Sequence, residues 1–78
     1  MLRLQQGAAG AALKDFDRYL GRSPNGDRAA DALWGRSKAL LALQRQSEAE
    51  KSLGLLLGRY PQSPFGSAAR AELRRLSP

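Results

Sequence analysis

The sequence of 78 residues contains no cysteine and no histidine. The lack of cysteine excludes a disulfide framework and a thiolate metal site. The lack of histidine removes the commonest metal ligand and the commonest general base. The seven acidic residues do not recur at metal-ligand spacing, and no glycine-rich phosphate loop is present. We therefore expect no enzyme activity, no cofactor, no metal site and no catalytic residue.

Long apolar runs are also missing. No stretch approaches the eighteen apolar residues that a membrane span needs, and residues 1–6 do not form a signal peptide pattern. The chain has no valine or isoleucine and shows no sustained alternation of apolar and polar residues, which argues against strands. The composition is instead rich in alanine, leucine and arginine. It favours an all-α fold.

Apolar residues recur at helical spacing in four segments, 9–21, 28–44, 48–59 and 65–76. The predicted apolar faces, segment by segment, are Ala12, Leu13, Phe16, Tyr19 and Leu20; Ala29, Ala32, Leu33, Ala39, Leu40 and Leu43; Ala49, Leu53, Leu56, Leu57 and Tyr60; and Phe65, Ala69, Leu73 and Leu76. Capping residues are predicted at Asp27, at Ser47 with Glu50, and at Ser63 before Pro64. The short connections predict antiparallel neighbouring helices.

The chain also repeats itself. The segment 20–24, which reads Leu-Gly-Arg-Ser-Pro, returns 37 residues later at 57–61 as Leu-Gly-Arg-Tyr-Pro. The same offset carries Ala12 onto Ala49 and Phe16 onto Leu53. Periods of twenty to fifty residues in helical sequences are typical of solenoids built from stacked hairpins.

These residues resemble the tetratricopeptide repeat family, in which two antiparallel helices form each unit. The best match runs from Ala30 to Pro61, with Ala32, Leu33 and Trp34 early in the first helix and Ala49 and Leu53 in the second. The ending at 60–65 resembles the variant found in bacterial cell-envelope proteins, such as the Tol-Pal-associated cell-division coordinator and the outer-membrane assembly lipoprotein. Arg36 and Ser37 depart from the Leu-Gly that is usual in the family, and the turn at 44–46 lacks its glycine.

The resemblance implies a right-handed solenoid fragment of about one and a half repeats plus a closing helix. Residues 1–26 would be a partial first repeat, 27–62 the second repeat and 63–78 the closing helix. Residues 1–6 would end a truncated helix, with a turn at Gly7. Since about three repeats are normally needed for stability, the sequence is expected to be an excerpt of a longer protein with an open apolar edge at Leu2, Leu4 and Leu13.

The resemblance also implies a function as a protein–protein interaction or assembly module. The residues that would line its groove for a protein or peptide partner are Asp31, Trp34, Lys38, Leu41 and Ala42. Their spacing places them on one helical face, where Trp34 would anchor the partner. The alternative interpretation is that Trp34 packs against the adjacent repeat. Gly54 and Gly58 fall inside a predicted helix. They indicate either close approach of a partner or of a neighbouring helix, or glycine that is tolerated at an exposed surface.

Two other functions stay open. The first is a homo-oligomerisation domain that uses the open apolar edge. The second is a small basic nucleic-acid-binding module, since the chain carries thirteen basic and seven acidic residues. The charge is evenly spread, however, and the nearest cluster, Arg70, Arg74 and Arg75, falls in a helix end where cations complement the dipole. Nucleic acid is therefore the less favoured partner, and only the family resemblance favours the bacterial periplasm or cell envelope as the location.

Overall fold

The protein is all-helical, as the sequence predicts. A computed structural model describes the backbone of residues 2–77 and the side chains of residues 7–77. The helices are α1 (Leu2–Arg22), α2 (Ala29–Ala42), α3 (Gln46–Arg59) and α4 (Gly66–Leu76). No strand occurs between residues 2 and 77, and no helix in that range is long and apolar enough to cross a membrane.

Helix α1 is longer than predicted. It runs without interruption for 21 residues and passes through Gly7, where the family resemblance predicts a turn. That predicted turn, and the separate truncated helix before it, are therefore wrong. Glycine lowers helix propensity by about 1 kcal/mol, which is too little to break a helix whose flanking alanines favour it.

Successive helices are antiparallel. Ala9 and Leu13, in the first and middle parts of α1, join a buried cluster with Ala39 and Leu40, which lie late in α2. Phe16, further along α1, lies against Gly35, which is earlier in α2. The same cluster includes Ala49 of α3. A second buried cluster unites α2, α3 and α4 and consists of Leu33, Leu53, Leu56 and Ala69. The predicted apolar faces of α2 and α3 are thus confirmed at their buried positions, and both helices contribute to both clusters.

One of the three residues of the predicted open apolar edge is buried. Leu13 is only 6% exposed because it is enclosed between α1 and α2. The side chains of Leu2 and Leu4 lie outside the described part of the molecule. The large apolar side chain that is most exposed among residues 7–77 is Leu55 of α3, at 46%.

The 37-residue repeat is a repeat of backbone structure. Helices α1 and α3 end 37 residues apart, as do the starts of α2 and α4. Four backbone hydrogen bonds of the α1–α2 turn recur at the same offset in the α3–α4 turn, with lengths that agree within 0.1 Å. They are Ser23 to Tyr19, Gly26 to Ser23, Ala29 to Gly26 and Ala32 to Arg28, matched by Tyr60 to Leu56, Ser63 to Tyr60, Gly66 to Ser63 and Ala69 to Phe65.

The predicted caps at Asp27 and Ser47 are wrong, because neither α2 nor α3 has a side-chain cap hydrogen bond, whereas the hydroxyl of Ser63 does accept a backbone hydrogen bond in the turn that leads into α4. In the two matched turns, different side chains accept the hydrogen bond from the backbone N–H of the residue just before the helix. The hydroxyl of Tyr19 accepts a hydrogen bond of 3.0 Å from the backbone N–H of Arg28. In the second turn the hydroxyl of Ser63 accepts one of 3.1 Å from the N–H of Phe65. The Tyr19 hydroxyl also fills the space where a side chain at Gly26 would lie.

The residues that depart from the family pattern have structural roles. The Arg36 guanidinium pairs with Asp17 of α1 at 2.6 Å and donates to the hydroxyl of Ser52, which is fully buried in α3. Arg36 therefore links three helices. Ser37 is buried, and its hydroxyl donates to the carbonyl oxygen of Leu33 one turn earlier, which satisfies its polar group within the helix.

The α2–α3 turn closes without the glycine that is usual in the family. Gln44 adopts a φ of 61° and is the one non-glycine residue with a positive φ in the described part of the chain. Its N–H donates to the Leu41 carbonyl at 3.0 Å, and the N–H of Arg45 donates to the Leu40 carbonyl at 2.8 Å. These two bonds form a Schellman motif, in which the left-handed residue directly after the helix reverses the chain.

Candidate protein-interaction site

The five predicted groove residues all lie on α2, and the structure divides them into a rim and a partly buried centre. Asp31, Lys38 and Ala42 are exposed, whereas Trp34 and Leu41 are half-buried. Leu33 and Leu40 are buried on the opposite side of the same helix. Trp34 and Leu41 also pack against the two buried clusters, so the predicted stripe is exposed at Asp31, Lys38 and Ala42 and partly covered at its two large apolar residues.

Trp34 is held by its neighbours. Its ring stacks on Phe65, which directly precedes α4, with the ring centroids 5.8 Å apart and the planes 14° from parallel. The Lys38 ammonium lies 5.6 Å from the Trp34 ring centroid, within the range of a cation–π interaction. The two interpretations of Trp34 are thus compatible. It packs against the next helical unit and still presents part of its ring to solvent.

Asp31 stands at the rim of two neighbouring depressions. The smaller, of about 240 Å³, lies between α1 and α2 and is lined by Phe16, Tyr19, Arg28, Asp31 and Ala32. The larger, of about 410 Å³, lies between the start of α2 and the α3–α4 turn. Its wall includes Asp27, Asp31, Arg59, Tyr60, Pro61 and Pro64. We call this larger depression the acidic groove.

The reasoning from sequence missed Phe65, Tyr60 and Asp27 as parts of the candidate surface. Phe65 was assigned to the buried face of the last helix, but it precedes α4 and covers Trp34. The spacing of Asp27 and Asp31, four residues apart, was a usable signal for a shared side of the chain. The contribution of the α3–α4 turn was not accessible from periodicity, because it depends on how the second hairpin folds back on the first.

Gly54 and Gly58 lie on the exposed side of α3, and a methyl group added at either would meet no atom within 4 Å. They do not serve a close approach between helices of this chain. Gly35 differs, because the ring of Phe16 occupies the space where its Cβ would lie. Close packing of α1 against α2 therefore depends on glycine at position 35.

The predicted basic cluster is exposed and only partly free. Arg75 forms an ion pair of 2.6 Å with Glu72 on the same helix. Arg74 and Arg75 lie in the last turn of α4, where they complement the helix dipole. No family model, curated protein or solved structure matches the chain.

Proposed function

We propose that this chain is a non-catalytic protein-interaction module of the tetratricopeptide type, which presents the solvent-facing stripe of α2 to a protein or peptide partner. The observation that supports this most is the 37-residue repeat of turns, hydrogen bonds and helix ends. Folds in which each unit packs mainly on its neighbours have a regular exposed side that is free to bind. The stripe is Asp31, Trp34, Lys38, Leu41 and Ala42.

The physical basis of binding is a rigid aromatic anchor with a charged rim. Trp34 is fixed by its stacking on Phe65, so little side-chain entropy is lost when a partner covers it. Aromatic residues that are partly buried and well supported dominate the binding energy of many interfaces. Asp31 and Lys38, on either side, supply charges of opposite sign that would set the orientation of the partner.

The proposal is tested by selecting binders to the whole chain from a displayed library of random twelve-residue peptides. Trp34→Ala should weaken the selected peptides at least tenfold. Phe65→Ala is the matched control, since it removes the same aromatic stack from the other side and leaves the stripe complete. Leu53→Ala is a second control. Leu53 is fully buried, so its truncation should lower the unfolding free energy by about 2–5 kcal/mol.

Three outcomes would contradict the proposal. The library could yield no specific binder, or the binders could be unaffected by Trp34→Ala in the folded protein. In the third, Trp34→Ala would destabilise the fold as much as Leu53→Ala while leaving peptide affinity intact. The unfolding free energy of each variant, from urea titration, separates loss of folding from loss of binding.

The homo-oligomerisation alternative has less support, because Leu13 of the expected open edge is buried within the chain.

A further inference from the structure

The acidic groove differs in charge from the molecule around it. The chain carries a net charge of +6, yet two of its seven acidic residues, Asp27 and Asp31, line this one depression. Three other carboxylates are paired with arginines at 2.6 Å, namely Asp17, Glu48 and Glu72. Asp27 and Asp31 are exposed and form no such pair among the described side chains. Two carboxylates thus face one guanidinium, that of Arg59, in the groove wall, so the groove holds a net negative charge on a basic protein.

The rest of the wall suits a planar cation on an extended chain. Tyr60, which is partly buried against the second buried cluster, lines the depression, and Pro61 and Pro64 add rigid apolar surface there. A guanidinium group stacks on aromatic faces and is only weakly hydrated, so it loses less than an ammonium group on leaving water. The volume of about 410 Å³ lies within the range of ligand-binding clefts and accommodates one long side chain with its flanking backbone.

The single cation of the wall sets the orientation of such a ligand. Arg59 ends α3 and lines the groove together with Asp27 and Asp31, which flank the start of α2. Repulsion from Arg59 directs an incoming cation toward the two carboxylates. Its guanidinium remains available to donate hydrogen bonds to the backbone carbonyl groups of the same ligand.

The geometry points to the acidic groove as a binding site for an arginine-bearing, extended peptide segment of a partner protein. The guanidinium lies between Asp27 and Asp31 and over Tyr60. This inference rests on the proposed function as an interaction module and assigns a charge to the partner. It concerns a surface that shares only Asp31 with the Trp34 stripe, so the two can fail separately. The dipole of α2 explains a carboxylate in its first turn, and the test therefore measures binding rather than stability.

The test uses the whole chain, labelled with ¹⁵N, and two blocked ten-residue peptides. One carries two arginines in an alanine–glycine background, and the other carries citrulline, which has the same shape without the charge, at both positions. The arginine peptide should bind at least tenfold more tightly than the citrulline peptide at low salt and shift the backbone amide signals of residues 27–31 and of Arg59, Tyr60, Gln62 and Ser63. Added salt should weaken it, since both charges are exposed.

Variants of matched charge complete the test. Asp27→Asn with Asp31→Asn should lower the affinity for the arginine peptide at least tenfold. Asp15→Asn with Glu50→Gln changes the net charge equally, outside the groove, and should leave the affinity nearly unchanged. Equal losses of peptide affinity in the two double variants would show that binding depends only on the net charge of the protein, and would overturn the inference.

Two further results would also overturn the inference. One is equal binding, or no binding, of the arginine and citrulline peptides. The other is a dimer of the unmodified chain, seen by sedimentation, that dissociates in the Asp27/Asp31 variant, since a second copy would then be the occupant. If the arginine peptide fails while library peptides still depend on Trp34, the proposed function stands without this site.

Discussion

Glycine has opposite consequences at different positions of this molecule. Gly35 faces the ring of Phe16, which occupies the site of a side chain, whereas Gly54 faces open solvent. Both lie inside helices, where glycine is intrinsically unfavourable compared with alanine. Packing therefore decides the effect of a methyl group at one position, and backbone propensity decides it at the other.

We expect Gly54→Ala to stabilise the protein by about 1 kcal/mol, because alanine restricts the unfolded chain and favours the helix. Gly35→Ala should instead destabilise it by about 1 kcal/mol, because overpacking against Phe16 outweighs the same gain in propensity. Urea unfolding of both variants measures the difference. If Gly35→Ala is as stabilising as Gly54→Ala, then the Phe16 ring is not seated against α2.

At the scale of the elements, the sequence predicted the existence of the helices better than their ends. The buried faces of α2 and α3 follow from apolar spacing, since residues such as Leu40 and Leu53 can be removed from water only on one side. The starts of α2 and α3 are set by backbone hydrogen bonds, because carbonyl groups accept from N–H donors that Asp27 and Ser47 are expected to cap, and only Ser63 accepts a backbone N–H with its side chain. The uninterrupted course of α1 through Gly7 could not be read from residue identity, since glycine suits both a turn and a weak helix.

The α2–α3 turn provides a prediction about connection geometry. Gln44 holds a left-handed conformation that costs a residue with a Cβ about 1–2 kcal/mol, and glycine adopts it freely. Gln44→Gly should therefore stabilise the fold by about 0.5–1 kcal/mol after the greater entropy of the unfolded chain is subtracted. The expected rise in midpoint temperature is roughly 4–8 °C per kcal/mol for a chain of this size.

Gln62→Gly is the control for that change. Gln62 is an exposed turn residue without positive φ, so the same substitution should only increase unfolded-state entropy and lower stability. A destabilising effect of both substitutions, measured by thermal unfolding, would show that the left-handed conformation at Gln44 is not strained.

For the whole molecule, the position of the candidate site depends on a relation between hairpins. The principal-axis extents of 35 × 34 × 18 Å describe a flat body, in which the two buried clusters lie side by side rather than around one centre. The stripe on α2 was predictable, because it lies on one helix. The acidic groove and the stacking of Phe65 on Trp34 were not predictable, because both bring α2 together with residues about thirty positions away in the sequence.

This arrangement predicts graded protection from hydrogen exchange. Helices α2 and α3 supply buried residues to both clusters. Helix α1 supplies buried residues to the first cluster and only the partly buried Leu20 to the second, and α4 packs on the second cluster. The amides of the two central helices should therefore exchange most slowly, and those of α1 and α4 should exchange through partial unfolding at lower free energy. Exchange measured residue by residue by NMR checks this. Equal protection in all four helices would indicate a single indivisible unit.

The two matched turns have a consequence for how the sequence can change over time. One turn combines Tyr19 with Gly26, and its counterpart combines Leu56 with Ser63. In the first pair the Tyr19 hydroxyl oxygen accepts the hydrogen bond, and Gly26 leaves room for it. In the second pair Ser63 supplies the hydroxyl oxygen, and Leu56 has none. Each position is therefore constrained by its partner, and we expect a change at one position to be tolerated best when the other changes with it. A comparison that scores positions singly counts two mismatches between these turns, although their hydrogen-bonding solution is shared.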